Sequence, residues 1–186
     1  LIVVLDADNY VSIPFYDKVS TILYVAGGGE KVHDAILNDL SGEKCPSGRI
    51  TKKWNVSNSI ELPFGYGLSY TSFEISSITV KLCDDKNAAQ AIALVSCELK
   101  NTGDMYGADV IQCYVGDVEC SVDRPIKELA AYQKVFLEPG ESKKVQLYLY
   151  KDAFEFYDVK KDDFVIEPGQ FRVYVGDSLD NCEAAG

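Results

Sequence analysis

The sequence predicts a mainly β protein: an immunoglobulin- or fibronectin type III-like β-sandwich, preceded by an incomplete α/β segment of strand, crossover, strand and helix. Three observations carry this reading. From Ile75 onward apolar residues recur with a period of two, the signature of strands with one buried and one wet face. Before them, Leu1–Leu5 (LIVVL) is a continuous apolar run, the pattern of a strand buried on both faces of a parallel sheet. Between the two regimes stands Leu62–Glu74 (LPFGYGLSYTSFE), where glycines and aromatics concentrate.

Taken in order, Asp6–Asn9 is a polar break and Thr21–Val25 (TILYV) a second β-prone run, with enough chain between the runs for a parallel crossover. After Gly27-Gly28-Gly29, Glu30–Leu40 carries Val32, Ala35, Ile36 and Leu40 at helical spacing, and Gly42 stands where a C-cap glycine is expected. The glycine triplet lacks the Lys-Ser/Thr of a phosphate loop and the spacing of a dinucleotide fingerprint, so it reads as a strand-to-helix turn. His33, the only histidine, reads as a solvated helix residue. Cys45–Arg49 (CPSGR) is a turn, and Trp54, the only tryptophan, reads as packing at the unit's edge. Residues 1–54 form the end of an α/β layer too small to stand alone, and Leu1 opens inside an apolar run with no initiator Met. Both suggest that the chain continues upstream.

Residues 55–74 form a linker whose hinge is packed by Phe64, Gly65, Tyr66, Gly67, Tyr70 and Phe73. The aromatics supply stiff surfaces, and the glycines supply turn conformations closed to other residues. Residues 75–186 form the sandwich. Alternation is clear at Ile78–Leu82, Val95–Leu99, Ile111–Val115, Val145–Leu149 and Phe171–Val175, with further runs at Leu129–Leu137 and, broken, at Phe154–Ile166. Asn101-Thr102-Gly103, Glu138-Pro139-Gly140 and Glu167-Pro168-Gly169 punctuate them, giving about seven strands.

Lys and Arg number 18 against 29 Asp and Glu, a net charge of −11. That field repels nucleic acid and anionic membrane, so neither is an expected partner. No apolar run reaches the length of a membrane span, and nothing at the start resembles a signal peptide. Six widely spaced cysteines without a CxxC pair argue against zinc. Cys97 and Cys113 fall on apolar phases and read as core; Cys120 and Cys182, in apparent loops, are the better disulfide candidates. Asn55-Val56-Ser57 is an N-glycosylation sequon in a polar loop, which makes Asn55 a candidate acceptor. The doublets Asp84-Asp85 and Asp162-Asp163 read as solvated turn charge. With 29 acids, a pair at the spacing that glycoside hydrolysis needs would arise by chance. No cofactor or metal ligand is expected.

Longer motifs add a resemblance. Leu62–Glu74 resembles the (F)PFGYGLSYTxF motif of glycoside hydrolase family 3, the β-glucosidase and β-xylosidase family, where it leads into a fibronectin type III-like domain. Ala35–Ile50 (AILNDLSGEKCPSGRI) is similar to that family's A-I-A-D-V-L-x-G-x-x-N-P-S-G-K/R-L segment. Ala108–Val115 with Arg124–Leu129 (RPIKEL) is similar to its E-V-V-Q-L-Y-V … R-P-x-K-E-L pattern. Glu138–Ser142 (EPGES) and Glu167–Gly176 (EPGQFRVYVG) resemble its two later turns. The family's W-Y-P-G-Q-x-G-G turn is here Tyr24–Glu30 (YVAGGGE), and its Asn before Pro-Ser-Gly is Cys45. Only Asn55–Glu61 separates Trp54 from the hinge, where the family commonly has a longer connector: either it has been lost or the chain skips residues.

The resemblance implies the C-terminal structural part of a β-glycosidase that hydrolyses terminal β-D-glucosides or β-D-xylosides by a retaining two-carboxylate mechanism. In the family the Asp nucleophile lies on a TIM-barrel domain and the acid/base Glu in the α/β-sandwich domain before its final strands. No residue here matches either motif, so no catalytic residue is assigned in this chain and the 186-residue piece alone is expected to be inactive. The expected partners are those two domains and, through them, a β-linked sugar; a homodimer is compatible with the reading. The alternative is a non-catalytic interaction or carbohydrate-associated β-sandwich module. The sequon and the resemblance favour an extracellular or lumenal site, and the sequence leaves a cytoplasmic one open.

Overall fold

A computed structural model describes residues 1–27, 29–83 and 90–185. Gly28 of the glycine triplet and the doublet Asp84-Asp85 lie outside the described residues.

Strands β1 (Ile2–Asp6) and β2 (Thr21–Val25) pair in parallel, from Ile2↔Thr21 to Asp6↔Val25, with a 3-10 turn at Tyr16–Lys18 in the crossover. Along β1 exposed and half-buried residues alternate, and Ile2 and Val4 are exposed. This differs from the two-faced burial expected of Leu1–Leu5, because β1 has one neighbouring strand and one packed face. Helix α1 (Val32–Ser41) starts two residues later than its apolar spacing suggested. It stops at Gly42, whose left-handed φ of 78° directs the chain out of the helix. His33 is exposed on it.

The connector closes as an antiparallel hairpin of β3 (Trp54–Ser57) and β4 (Ile60–Leu62). Asn55 is thus a strand residue rather than a loop residue; it is exposed and paired with Glu61. The hairpin completes a small core. Ile13, Trp54 and Val56 are buried there, with Leu5, Ile22, Ile50, Ile60 and Leu62 around them. Trp54 stacks on Tyr10 at 5.0 Å, tilts against Tyr24 at 5.1 Å and donates through Nε1 to the Val11 carbonyl at 2.8 Å, so both its apolar face and its polar edge are satisfied.

The sandwich follows. In chain order the strands are β5 (Phe73–Leu82), β6 (Ala93–Asn101), β7 (Gly107–Asp117), β8 (Glu128–Leu137), β9 (Ser142–Leu149), β10 (Phe156–Asp158), β11 (Asp163–Val165), β12 (Phe171–Gly176) and β13 (Cys182–Ala185). One sheet runs β5-β6-β9 and the other β13-β12-β7-β8. Their inner faces bury Val95, Cys97 and Leu99 against Ile111, Cys113 and Val115, with Val145, Leu147, Leu149, Val173 and Val175. Two features depart from the expected strand set. The broken run Phe154–Ile166 is a separate hairpin, β10–β11, reached through a 3-10 turn at Lys151–Ala153. An additional edge strand, β13, pairs with β12. Cys182 therefore opens a strand, and all six cysteines are free thiols. Neither disulfide candidate, Cys120 or Cys182, is bonded; Cys182 Sγ accepts from Lys127 Nζ at 3.2 Å and donates to the Leu179 carbonyl at 3.1 Å.

Candidate functional site

Strand β7 departs from the alternation of its neighbours. Ile111, Cys113 and Val115 face the sandwich core, yet Gln112 and Tyr114, of the opposite phase, are only 3% and 1% exposed. Their face is covered by the strap 62–70, at the seam between the two units. Gln112 Nε2 donates to the Gly65 carbonyl at 3.2 Å and to the Asp177 carbonyl, while its Oε1 accepts from the Tyr114 hydroxyl at 2.6 Å. Phe64 meets the Tyr114 ring edge-on at 6.5 Å, and its carbonyl accepts from the Leu179 amide at 3.0 Å. Gly65 has a φ of 81°, and a Cβ there would lie 2.7 Å from Gln112 Cδ. A Cβ on Gly67 would lie 2.8 Å from Arg49 Nη1 and overlap the Gly48 carbonyl. The two glycines flanking Tyr66 are needed for two reasons, a left-handed backbone at one and close approach at both.

The strap is equally tied to the first unit. The Gly65 amide donates to the Ile50 carbonyl at 2.8 Å, and the Ile50 amide donates to the Tyr66 carbonyl at 2.9 Å. Burial, with the Tyr16 phenol nearby, raises the pKa of Tyr66. Tyr70 donates from its hydroxyl to the Asp39 carbonyl at 2.8 Å and from its amide to Cys45 Sγ at 3.3 Å; Cys45 also meets the Ser69 hydroxyl at 2.9 Å. Phe73, at the start of β5, packs on the sandwich core. At the strap's end the Thr71 hydroxyl donates to Asn101 Oδ1 at 2.7 Å. Asn101 is fully buried and satisfied: its Oδ1 also accepts from the Gly103 amide, and its Nδ2 reaches the Met105 and Leu137 carbonyls.

Arg49 Nη2 pairs with Asp109 across the same seam, with side chains 11% and 5% exposed. Asp109 is the buried carboxylate of the region, and its charge is met by this arginine and by the Val110 amide at 2.7 Å. Lys134 Nζ donates to the Ser47 carbonyl at 3.3 Å; burial, then the nearby Arg49 charge, lowers its pKa. Farther along, Arg124 grips Glu128 Oε2 through Nε (3.0 Å) and Nη2 (2.5 Å) and reaches the Glu155 carbonyl, which explains the Arg and Glu of the RPIKEL stretch. Asp117, Cys120 and Glu167 place potential ligand atoms within 4.8 Å of one another. Those carboxylates already serve the protein: Glu167 accepts from the Ser121 hydroxyl and amide, and Asp117 from the Glu119 amide. The Ser121 contacts hold the Glu167 carboxyl below its usual pKa.

Phe64, Gly65, Tyr66, Gly67 and Tyr70 make the strap contacts given above, and Phe73 packs on the sandwich core. Local pattern marks neither Arg49, Asp109 nor Gln112 as a seam residue, and it reads Asn101 only as part of a turn. A signal for three of them existed: Arg49, Asp109 and Gln112 occupy the polar positions of the P-S-G-K/R-L and E-V-V-Q-L-Y-V patterns. Period-two reading assigns Gln112 to a wet face, because it does not register a strap lying over that face.

Fold and seam together define the class: a fibronectin type III-like sandwich fastened by an aromatic and glycine strap to a small α/β unit. Residues 109–179 match the family model for the fibronectin type III-like domain. Thermostable β-glucosidase B of Acetivibrio thermocellus is 36% identical over 96% of this chain and 28% of its own length. A β-xylosidase of Formosa agariphila is 33% identical over 91% of this chain and 26% of its own. The crystal structure of the glycoside hydrolase family 3 β-glucosidase from Bifidobacterium adolescentis superposes with a TM-score of 0.80 at 27% identity, over 99% of this chain and 32% of that one. The chain belongs to glycoside hydrolase family 3, whose members it matches over their C-terminal portion. It spans little more than a quarter of the length of these curated relatives.

Proposed function

We propose that this chain is the C-terminal structural part of a β-glycosidase acting on terminal β-D-glucosides or β-D-xylosides, with the nucleophile and the acid/base outside the chain. The observation that carries the reading is the match of both units, in one arrangement, to β-glucosidases over nearly the whole chain. The retaining two-carboxylate mechanism comes with the family, and the partners are the barrel and α/β-sandwich domains of the same enzyme. The division into 1–54, 55–74 and 75–186 is part of the proposal, with β3 and β4 packing on the core of the first unit. The role of the chain is to buttress: the strap's hydrogen bonds run to Ile50 on one side and to Gln112 and Leu179 on the other, which favours a fixed two-unit piece over a free-standing sandwich module.

Among the described residues no helix is long and apolar enough to cross a membrane. An extracellular or lumenal location belongs to the proposal and rests on the exposed sequon at Asn55; a mass shift on endoglycosidase treatment of the native protein would test it. The activity test is hydrolysis of chromogenic β-glucoside and β-xyloside. The 186-residue chain is expected to release no chromophore, and the longer protein that carries it is expected to do so. Turnover by the chain alone would overturn the assignment of both carboxylates to other domains.

A further inference from the structure

A cleft of about 530 Å³ opens along the seam, between the chain that leaves α1 and the edge formed by β7 and β8. That is within the range of roughly 300–1,000 Å³ usual for ligand sites. One wall is aromatic. Tyr106 and Phe136 lie near-parallel, 19° apart with centroids at 6.3 Å, and each is 50% exposed. The sheet places them together, since Ala108 is paired with Phe136 and Tyr106 stands two residues earlier. The opposite lining is polar and of mixed charge, with Asp39, Glu43, Lys44 and Ser47. Two lining residues are held by hydrogen bonds from outside the cleft. Asn101 holds the Met105 carbonyl at 2.8 Å, and Tyr70 holds the Asp39 carbonyl at 2.8 Å. Burial raises the pKa of the half-buried Asp39 carboxyl.

The chemistry of the two walls selects among ligands. Lys134 Nζ stands over the Phe136 ring at 5.6 Å from its centroid. The ring surface that stays half-exposed on Tyr106 and Phe136 wants an apolar face to cover it, while carboxylates, an ammonium and a hydroxyl want neutral groups that both donate and accept. Nucleotides offer a stacking face, but their phosphates meet Asp39, Glu43 and a chain of net charge −11. A purely apolar ligand would leave the polar lining unpaired. A pyranose has both surfaces, a C–H face above and below the ring and hydroxyls around its rim. We infer that this cleft is a sugar-binding site of the accessory sandwich, taking a β-linked gluco- or xylo-oligosaccharide over Tyr106 and Phe136 with hydroxyls directed to Asp39, Glu43 and Ser47. The choice of sugar rests on the glycosidase reading above; the existence of an aromatic, mixed-charge cleft does not.

The experiment is a titration of the 186-residue chain with cellotetraose and, separately, xylotetraose, followed by the ring-proton NMR signals of its aromatic residues. Wild type is expected to show saturable shifts with at least one sugar. Phe136→Ala and Tyr106→Ala are expected to weaken binding about tenfold each. Tyr132→Ala, at a 68% exposed ring elsewhere on β8, is expected to leave it unchanged. These rings are at least half-exposed, so the variants are expected to keep the wild-type chemical-shift dispersion, which the same spectra report. Absence of saturable shifts up to the solubility limit of both sugars overturns the inference, as does equal loss of binding in all three variants. Burial of both rings by protein in the longer enzyme, seen as protection without sugar, overturns it in favour of an interdomain contact. Hydrolysis by that longer enzyme is measured separately. A failed titration beside intact hydrolysis sinks only the cleft, and absent hydrolysis beside sugar binding sinks only the catalytic reading.

Discussion

A glutamine side chain away from water has to find partners for two N–H donors and a carbonyl, and each one left unmade costs about 1–3 kcal/mol. Gln112 meets that demand by joining three separate pieces of chain: the strap at Gly65, the loop after β12 at Asp177, and its own strand at Tyr114. Gln112→Leu keeps the bulk but orphans the two carbonyls and the Tyr114 hydroxyl. It is expected to lower stability by roughly 2–4 kcal/mol in urea unfolding, from more than one lost partner. Gly65→Ala adds a left-handed alanine, about 1–2 kcal/mol by itself, and drives its Cβ into Gln112, so its loss is expected to be at least as large. If Gly65→Ala unfolds at the wild-type midpoint, the close approach at the strap is not a constraint. Arg49 and Asp109 obey a different rule. Breaking a buried ion pair from one side costs about 3–5 kcal/mol, whereas replacing both partners with apolar residues is often near neutral. Asp109→Leu is therefore expected to be far more destabilising alone than combined with Arg49→Met, a difference a double-mutant cycle measures directly.

At the scale of the element, β7 stands out among the described strands in having no wet face. Burial pushes the Cys113 thiol from an ordinary 9.0 up to about 12. Burial, and then the neighbouring Cys182, Asp177 and Asp180, raise the Tyr114 phenol as well. Both groups are held neutral in the folded strand, and in the unfolded chain they ionise first as pH rises. Their contribution to stability is therefore whole below about pH 9 and is lost progressively toward about pH 12. Thermal melts are expected to fall across pH 9–11, and Cys113→Ala, whatever its cost at pH 7, is expected to flatten that fall. A melting temperature equally steep in wild type and variant would remove the thiol from the account. The same strand shows the limit of pattern reading. Alternation located β6, β7 and β9 correctly, because each has a core-facing set of one phase. Alternation assumes that the other face is wet, and for Gln112 and Tyr114 that assumption fails.

For the whole molecule, two cores meet at one seam: a small aromatic core around Trp54 and the sandwich core around Leu99 and Ile111. Trp54 is the only tryptophan, so its fluorescence reports the first core, while far-ultraviolet circular dichroism is dominated by the strands of the second. With the seam intact, the two signals are expected to unfold together in urea. Gln112→Leu combined with Asp109→Leu is expected to separate them, the fluorescence transition coming first because the smaller core buries less surface. Coincident transitions in the double variant would mean that the units are coupled by something other than these residues.

Local order in the residues determined much of this protein. Period-two runs set the sandwich strands, the Gly42 position set the end of α1, and the LPFGYGLSYTSFE stretch identified the family. Each is a short-range preference of backbone or side chain, legible without knowing what lies opposite. The tertiary structure alone decided the rest. It closed the connector into the hairpin β3–β4, turned the broken run at Phe154–Ile166 into a separate hairpin and added the edge strand β13. It also brought Arg49 to Asp109 across 60 residues and laid Gly65 over Gln112 across 47. Those pairings depend on which surfaces approach closely enough to exclude water. That is a property of the packed chain, and no window of sequence contains it.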